Sequence, residues 1–351
     1  MENPARLLRR VVKAASFAYR RCFGRNCAPR VRETERAPHL DQDRRARYAS
    51  TTTPAPDPAM IRIASHDLRI DIAMRGAELQ SIASPDGRQW LWNGDPAVWA
   101  GRSPLLFPLI GRSPDGKALV DGALRPMLPH GFARTGDFAV TETAESLCTL
   151  RLSDSAATRA AYPFAFDLDM TYRVAGATLT MDAKVSSRDR RPMPACFGYH
   201  PAFVWPLPGA SGLPHILQLD NHQEPSLLRI DAKGLLTPER RASPFAKGEL
   251  TLDRAMFAED AMIFDSHIGS SLWYGAEGHP GIRVSYAGLP HLGIWQKPGA
   301  SYICIEPWHG LPAPADRAEP LEARAGCVHI APGQSVHFIM QMTFGVAPGP
   351  D

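Results

Sequence analysis

The sequence predicts an all-β protein, a large antiparallel β-sandwich that occupies residues 60–351. Four separated segments, at 68–74, 166–174, 179–185 and 336–344, alternate apolar and polar residues with a period of two. Such alternation is typical of half-buried antiparallel strands. After residue 60 no long segment has the 3.6-residue period of an amphipathic helix, so we expect no βαβ units. The 33 prolines and 28 glycines indicate many loops between the strands.

Asp-Gly pairs mark expected turns between the strands. Asp86-Gly87 and Asp115-Gly116 lie between apolar runs, and Asp-Gly is frequent in tight hairpin turns. We therefore expect a β-hairpin at each of these two positions.

The stretch GIWQKPGASYICIEPWHG, which begins at Gly293, predicts two strands joined by a turn. Residues 293–296 and 302–306 form the strands, and the Lys-Pro-Gly between them is typical of a turn. Because side chains alternate faces, Cys304 and Glu306 share one face of the second strand. Pro307 is expected to end that strand, since it has no N–H to donate.

Glu306 is the first candidate for a catalytic group. A carboxylate among apolar and aromatic neighbours is either paired with a donor or has its pKa raised by desolvation. Both situations suit a general base. The alternative is a half-solvated glutamate at a strand end that accepts a hydrogen bond from a nearby loop.

Residues 1–59 differ in composition from the rest of the chain. With Met60 they hold 13 Lys and Arg against 6 Asp and Glu, and they end in a Thr-, Pro- and Ala-rich run. Such a segment buries little of itself, so we expect disorder or a short basic amphipathic helix. It is a targeting presequence, a functional tail, or sequence upstream of a true start at Met60. We prefer the third interpretation.

The rest of the chain is mildly acidic, with 26 Lys and Arg against 30 Asp and Glu. It gives no reason to expect nucleic acid or a membrane as partner, and no apolar run reaches the roughly 18–20 residues of a bilayer helix. The six cysteines form no CxxC pair and no zinc-type spacing. This pattern predicts reduced thiols, a cytoplasmic location and no bound metal.

The common cofactor and nucleophile motifs are absent from the sequence. It contains no GxGxxG, P-loop, GxSxG, HExxH or EF-hand pattern. Their absence argues against redox, phosphoryl-transfer and serine-hydrolase chemistry, and it predicts that no cofactor is needed. Acid–base chemistry by His and Glu remains.

Three further stretches contain candidate site residues. Arg112 lies in PLIGRSPDG, His130 and Arg134 lie in LPHGFAR, and His200 lies in FGYHPAFVW. The rings around His200 in its own stretch form an expected aromatic wall, which would suit a sugar because pyranose faces pack on aromatic rings. They are Phe197, Tyr199, Phe203 and Trp205.

The strings HGFAR, YHPAF and ICIEPWHG, in this order and with Gly111-Arg112 ahead of them, resemble the aldose 1-epimerase (galactose mutarotase) superfamily. The resemblance is strongest to its bacterial LacX-like branch and covers residues 60–346. It implies a β-supersandwich that interconverts the α and β anomers of a free aldose without a cofactor. The longer histidine motifs of the galactose-specific branch are missing, so the resemblance does not imply a particular sugar.

The resemblance also implies roles for individual residues. Glu306 matches the general base, His200 the general acid, and His130 the second histidine, which contacts the sugar and helps to polarise the ring oxygen. Four residues are the implied or candidate contacts of the sugar: Arg112, Arg134, Asp260 in FAEDAMIF, and Trp308.

Mutarotation needs a base for the anomeric hydroxyl and an acid for the ring oxygen, and we expect them on opposite sides of one pyranose. The expected substrate is a free monosaccharide, and the expected state is a monomer or homodimer. Alternatives are a mutarotase for phosphorylated sugars, whose charge Arg112 or Arg134 would meet, and a non-catalytic sugar-binding protein. A glycoside hydrolase or lyase ranks low, because Asp260 is the only second carboxylate we can name.

Overall fold

A computed structural model describes residues 60–348, and almost all of its regular structure is β. In chain order the strands are β1 (Met60–Ala64), β2 (Arg69–Ala73), β3 (Leu79–Ala83), β4 (Leu105–Leu106), β5 (Lys117–Val120), β6 (Ala123–Pro126), β7 (Ala139–Ala144), β8 (Leu147–Ser153), β9 (Phe166–Ala175), β10 (Thr178–Ser187), β11 (Met193–Ala195), β12 (Phe197–Tyr199), β13 (Ala202–Val204), β14 (His215–Leu219), β15 (Glu249–Thr251), β16 (Met262–Phe264), β17 (Ser271–Ala276), β18 (Gly281–Ala287), β19 (His291–Trp295), β20 (Tyr302–His309), β21 (Val328–Ile330) and β22 (Ser335–Val346).

Helical structure is short wherever the structure describes the chain. One α-helix, α1 (Ala156–Ala161), begins after Ser155, whose hydroxyl accepts from the Thr158 N–H in a capping box. Single 3₁₀ turns lie at Pro114–Gly116, Ala133–Thr135, Arg254–Phe257 and Leu321–Ala323. Within 60–348, no helix has the length and apolar character needed to cross a membrane. The extension predicted at 1–59 lies outside the described residues.

Two large antiparallel sheets form the sandwich. One has nine strands in the order β15-β14-β17-β18-β22-β10-β9-β8-β7, and the other has the order β16-β19-β20-β12-β4, with β13 also paired to β20. Smaller sheets, β1-β2-β3, β5-β6 and β11-β21, complete the fold. The expected all-β antiparallel sandwich is confirmed.

The main core lies between these two sheets. The Tyr199 hydroxyl of β12 donates to the backbone oxygens of Met181 and Phe338, which belong to β10 and β22. The Phe197 ring stacks on Phe338 with ring centroids 5.1 Å apart. One face of the smaller sheet therefore packs on the larger sheet, and its other face is left for a site.

The four alternating segments all form strands. They correspond to β2, β9, β10 and β22. Their alternating apolar residues are buried apart from Met74 and Val336, which are partly buried; from Phe166 to Val174, every second residue is at most 3% exposed. The period of two thus identified both the strands and the faces that they bury.

The turn predictions had mixed results. Asp86-Gly87 forms a turn after β3, where the Gly87 N–H donates to the Ser84 oxygen. Asp115-Gly116 does not connect a hairpin, because β4 and β5, the strands on either side, are not paired. The hairpin turn in this region is Asp121-Gly122, between β5 and β6. Both residues have positive φ, 52° and 70°, as a type I′ turn requires.

The prediction that Pro307 ends its strand was wrong, since β20 continues to His309. On one side Pro307 pairs with Leu292 of β19. On the other side β12 pairs only with Trp308 and His309, so Pro307, which precedes Trp308, has no partner in β12. Pro307 therefore lies opposite the break between β12 and β13. No strand on that side requires its N–H as a donor, so a proline is tolerated.

Candidate active site

The face of the smaller sheet opposite the main core carries the candidate catalytic groups. Ile303 and Ile305 of β20 are fully buried in the main core. Cys304 and Glu306 alternate with them and lie on the other face, as predicted. A second apolar cluster forms there around Trp92, Ala202, Ala300, Tyr302 and Cys304.

His200 lies opposite Glu306 because of the strand register. Gly198 of β12 pairs with Trp308, and Ala202 of β13 pairs with Cys304. β12 and β13 therefore pair with β20 in one continuous register. His200 lies midway between Gly198 and Ala202, and in this register it faces Glu306, midway between Cys304 and Trp308. Residues opposite each other in an antiparallel pair have side chains on the same face. The break at His200-Pro201 therefore presents the imidazole to the carboxylate.

The two groups are adjacent and almost enclosed. His200 Nε2 lies 3.4 Å from Glu306 Oε1, and the residues are 7% and 2% exposed. The expectation that acid and base lie on opposite sides of a sugar-sized space was wrong, because cross-strand neighbours leave no such space between them. His200 Nδ1 and Glu306 Oε2 are buried without a hydrogen-bond partner among the described residues.

Burial makes the charged form of each group unfavourable. It raises the pKa of Glu306 well above its usual value; the Asp260 charge acts in the same direction, while the Trp308 N–H and the Arg134 charge oppose it. Burial also lowers the pKa of His200, with the charges of His130 and Arg134 adding to the effect. Burial therefore favours the state in which Glu306 is protonated and the His200 imidazole is neutral.

His130 is held next to His200 by backbone hydrogen bonds. Its N–H donates to the Gly111 oxygen at 2.7 Å, its oxygen accepts from Phe107 N–H at 3.1 Å, and its φ is 63°. Its ring Nδ1 accepts from the Gly111 N–H at 3.2 Å, so Nε2 carries the proton in the neutral ring. The His130 and His200 ring centroids are 5.6 Å apart, edge to face.

Arg134 is a partly buried cation at the same site. Burial lowers its pKa, while the carboxylates of Glu78 and Glu306 oppose that shift. Glu78 Oε1 also accepts from the N–H groups of Arg102 and Ser103, at 2.7 and 2.9 Å. Sequence reasoning missed Glu78, which links the charge of Arg134 to the backbone at 102–103.

The aromatic rings around His200 are not those expected from its own stretch. All four expected rings, Phe197, Tyr199, Phe203 and Trp205, belong to the main core, because odd-numbered residues there lie on the face opposite His200. The rings that pack on His200 are Trp99, stacked at 5.3 Å between centroids, and Trp295, edge-on at 5.7 Å. Both tryptophans are partly exposed.

The Trp99 loop is fixed to the sheet by two side chains. The Trp92 indole N–H donates to the Trp99 oxygen at 2.9 Å, and the Lys297 ammonium donates to the Val98 oxygen. The Trp99 ring also lies 5.3 Å from Tyr302 and 5.5 Å from Trp295. These contacts hold an aromatic surface beside the imidazole.

The implied sugar contacts differ in position. Trp308 is 3% exposed, and its indole N–H acts on the Glu306 carboxyl group, whose pKa it lowers. Arg112 is exposed, and its charge acts on the pKa of His130. Asp260 is also exposed, has a φ of 66°, and accepts from the Ala261 N–H at 2.8 Å. Their contact with sugar stays a prediction.

Comparison with known protein sequences gives a consistent result. The profile of the aldose 1-epimerase family matches residues 59–317. The plasmid and chromosomal LacX proteins of Lactococcus lactis subsp. lactis are each 28% identical over 284 residues, which are 78% of this chain and 95% of each relative.

Solved structures share the fold over most of the chain. A galactose mutarotase-like protein from Lactobacillus casei is 27% identical, with a TM-score of 0.76 over 81% of this chain and 99% of its own. A galactose mutarotase related enzyme from Lactobacillus acidophilus is 24% identical, with a TM-score of 0.77 over 83% of this chain and 100% of its own. The chain belongs to the aldose 1-epimerase family, in the LacX-like branch that its motifs resemble.

Proposed function

We propose that this protein is a mutarotase that interconverts the α and β anomers of a free aldose by acid–base ring opening and closure, without a cofactor. The observation that carries the proposal is the contact of His200 Nε2 with Glu306 Oε1 at 3.4 Å. An imidazole and a carboxyl group at this distance can act as one proton donor and one proton acceptor on neighbouring atoms. Membership of the family supports an isomerase that acts on sugars.

Adjacent acid and base groups suit a hemiacetal. The anomeric hydroxyl oxygen and the ring oxygen are bonded to the same carbon, so one side of the sugar presents both to neighbouring side chains. One group removes the hydroxyl proton while the other protonates the ring oxygen, and the bond from the anomeric carbon to the ring oxygen breaks. The aldehyde then rotates about its bond to the second carbon. The ring closes on the other face of the carbonyl with the proton transfers reversed.

The roles of the two groups exchange within one turnover. The resemblance implies that Glu306 is the base and His200 the acid in ring opening, whereas burial favours a protonated Glu306 and a neutral His200. In both protonation states, the two side chains together carry one proton that can be transferred. Because the reaction is reversible, the group that acts as acid in ring opening acts as base in ring closure. The pair therefore returns to its starting state after either sequence.

Neighbouring residues can position the sugar and stabilise developing charge. The His130 Nε2–H is a neutral donor, since Nδ1 already accepts from Gly111 N–H, and in our proposal it donates to a sugar oxygen. Arg134 would stabilise negative charge near Glu306. The partly exposed Trp99 and Trp295 rings would pack against a pyranose face.

The test is polarimetry of freshly dissolved α-anomers of a panel of aldoses, with the spontaneous rate subtracted. We expect acceleration of at least one aldose by the full-length protein, and an acceleration lower by about 100-fold or more with the Glu306→Gln variant. Calorimetric binding of a sugar without acceleration of any aldose would instead support a non-catalytic binding protein. A cytoplasmic location and a monomer or homodimer remain our proposals.

A second candidate is a mutarotase for anionic sugars. Arg112, Lys233 and Arg317 contribute to the lining of a cavity of about 690 Å³, and Arg112 is close enough to His130 to affect its pKa. A phosphate group on the sugar would find cations there. Asp115 and Asp316 line the same cavity, so the first candidate is preferred.

A further inference from the structure

We propose that His200, Cys304 and Glu306 form a binding site for a soft divalent cation such as Zn²⁺, and that the bound ion inhibits the enzyme. The inferred role is inhibitory rather than that of a resident cofactor. Imidazole nitrogen, thiolate sulfur and carboxylate oxygen together are a donor set that Zn²⁺ binds in proteins.

The three ligand atoms lie close enough to converge on one ion. One ligand atom from each residue lies within 4.8 Å of the other two, and the His200 Nε2 and Glu306 Oε1 atoms are 3.4 Å apart. A tetrahedral zinc ion with ligands at about 2.0–2.3 Å separates them by about 3.3–3.8 Å. The histidine and glutamate already fit, and the thiol would have to move by at most about 1.5 Å.

The strand register explains why these residues meet although their spacing is not a zinc motif. Cys304 and Glu306 are alternate residues of β20 and so share a face. His200 faces Glu306 across the gap between β12 and β13, and Cys304 pairs with Ala202 of β13. No local sequence pattern contains all three.

The groups have unused bonding capacity in a nearly enclosed position. Cys304 is fully buried, and His200 and Glu306 are more than nine-tenths buried. Glu306 Oε2, the second oxygen of the ligating carboxyl group, has no hydrogen-bond partner in the described part of the chain. Buried polar atoms without partners favour a ligand that supplies them with bonds. On binding, the thiol and any protonated carboxyl release their protons to solvent.

A bound ion would stop mutarotation because it occupies both proton-transfer groups. Zinc bonded to His200 Nε2 and Glu306 would prevent either group from exchanging a proton with a sugar. The inhibition rests on the proposed function. The binding does not, so the two can fail separately.

The experiment uses Co²⁺ in place of zinc, because the absorption spectrum of bound Co²⁺ depends on its ligands. Titration of Co²⁺ into the full-length protein is expected to produce a thiolate-to-cobalt charge-transfer band, and added Zn²⁺ should abolish it. The Cys304→Ser variant should lack the band and bind Co²⁺ at least about tenfold more weakly, since even outer-shell changes cost 10–100-fold in metal affinity. The matched control, Cys148→Ser, changes another buried cysteine and should keep the band.

A second variant keeps the test decisive if Cys304→Ser folds poorly by circular dichroism. Glu306→Gln should keep the thiolate band but weaken Co²⁺ binding. Absence of the band in the wild type, or its persistence in folded Cys304→Ser, would overturn the site. Where mutarotation is measurable, Zn²⁺ should inhibit it reversibly, with a chelator restoring the rate. A cobalt band without mutarotation would keep the site and reject the proposed function, whereas mutarotation without a cobalt band would do the reverse.

Discussion

The Trp308 ring lies directly over Gly293 on the neighbouring strand. A methyl group added at Gly293 would come within 2.4 Å of the ring, and one added at Gly198, on the other side of β20, would come within 2.5 Å. The two glycines flank the ring, and their lack of side chains lets it lie flat across three strands. Gly293 pairs with Glu306, so the same packing borders the carboxylate.

Gly293→Ala is therefore expected to destabilise the protein and to lower its activity. The added methyl group must displace an almost fully buried ring, and overpacking of this kind costs about 1–3 kcal/mol. Thermal unfolding followed by circular dichroism measures the loss, and polarimetry measures the rate. Gly136→Ala is the matched control, because its methyl group would meet flexible Leu152 side-chain atoms at 3.0 Å and the Ala133 oxygen at 3.3 Å, and no ring. Equal melting temperatures for the two variants would contradict this packing.

Glu306→Gln is expected to lower mutarotation by about 100-fold or more, the usual contribution of a general acid–base group. The substitution keeps the shape of the side chain and removes its ability to exchange a proton. Because burial disfavours the charged carboxylate, the neutral amide should not lower the melting temperature. The exposed Glu142 on β7 provides a control as Glu142→Gln. A Glu306→Gln variant with the wild-type rate would remove the carboxyl group from the mechanism.

His200→Asn should also lower turnover by about 100-fold or more, because the amide cannot carry a proton between sugar oxygens. His66→Asn is the control, since the His66 side chain is 97% exposed. Polarimetric rates of the two variants are compared with the wild type. An unchanged rate in His200→Asn would assign the acid role to His130.

The sequence predicted the identity of the catalytic candidates His200 and Glu306, but not all of their neighbours. Period-two alternation predicted which side chains of β20 share a face, and the motifs predicted both catalytic candidates. The same alternation should have excluded Phe197, Tyr199 and Phe203 as a wall around His200, since odd-numbered neighbours face the other way.

Other features could not be found from local sequence. Trp99 packs on His200 from a separate loop, and the charge of Glu78, between β2 and β3, acts on Arg134. Neither relationship leaves a pattern in the sequence around the histidine or the arginine. His200 and Glu306 are adjacent because β12 and β13 pair with β20 in the same register. This register can be seen only when the positions of all three strands are known. These contacts are long-range, and the sequence carries no period or spacing for them.

His130→Asn is expected to reduce kcat/KM by about tenfold or more, because the Nε2–H donor to the sugar is lost. Asn tolerates the left-handed backbone of His130 better than most residues do, so the loop should keep its conformation. His222→Asn is a matched control, since His222 is exposed and also has a positive φ, 52°. If both variants kept the wild-type kcat/KM, His130 would have no role beyond the fold.

The charge of the substrate can be tested with Arg112→Gln. We expect the wild type to act on free glucose faster than on glucose 6-phosphate, because acidic side chains share the neighbouring cavity with its cations. Arg317 pairs with Asp316 and Glu319, at 3.1 and 3.0 Å, and Asp115 also lines the cavity. Arg112→Gln should then change the rates on the two substrates by similar factors, as measured by polarimetry at equal substrate concentrations and ionic strength. A preference of the wild type for glucose 6-phosphate, lost selectively in Arg112→Gln, would instead favour the mutarotase for anionic sugars. In that case the Arg112 guanidinium would affect only the substrate whose phosphate it binds.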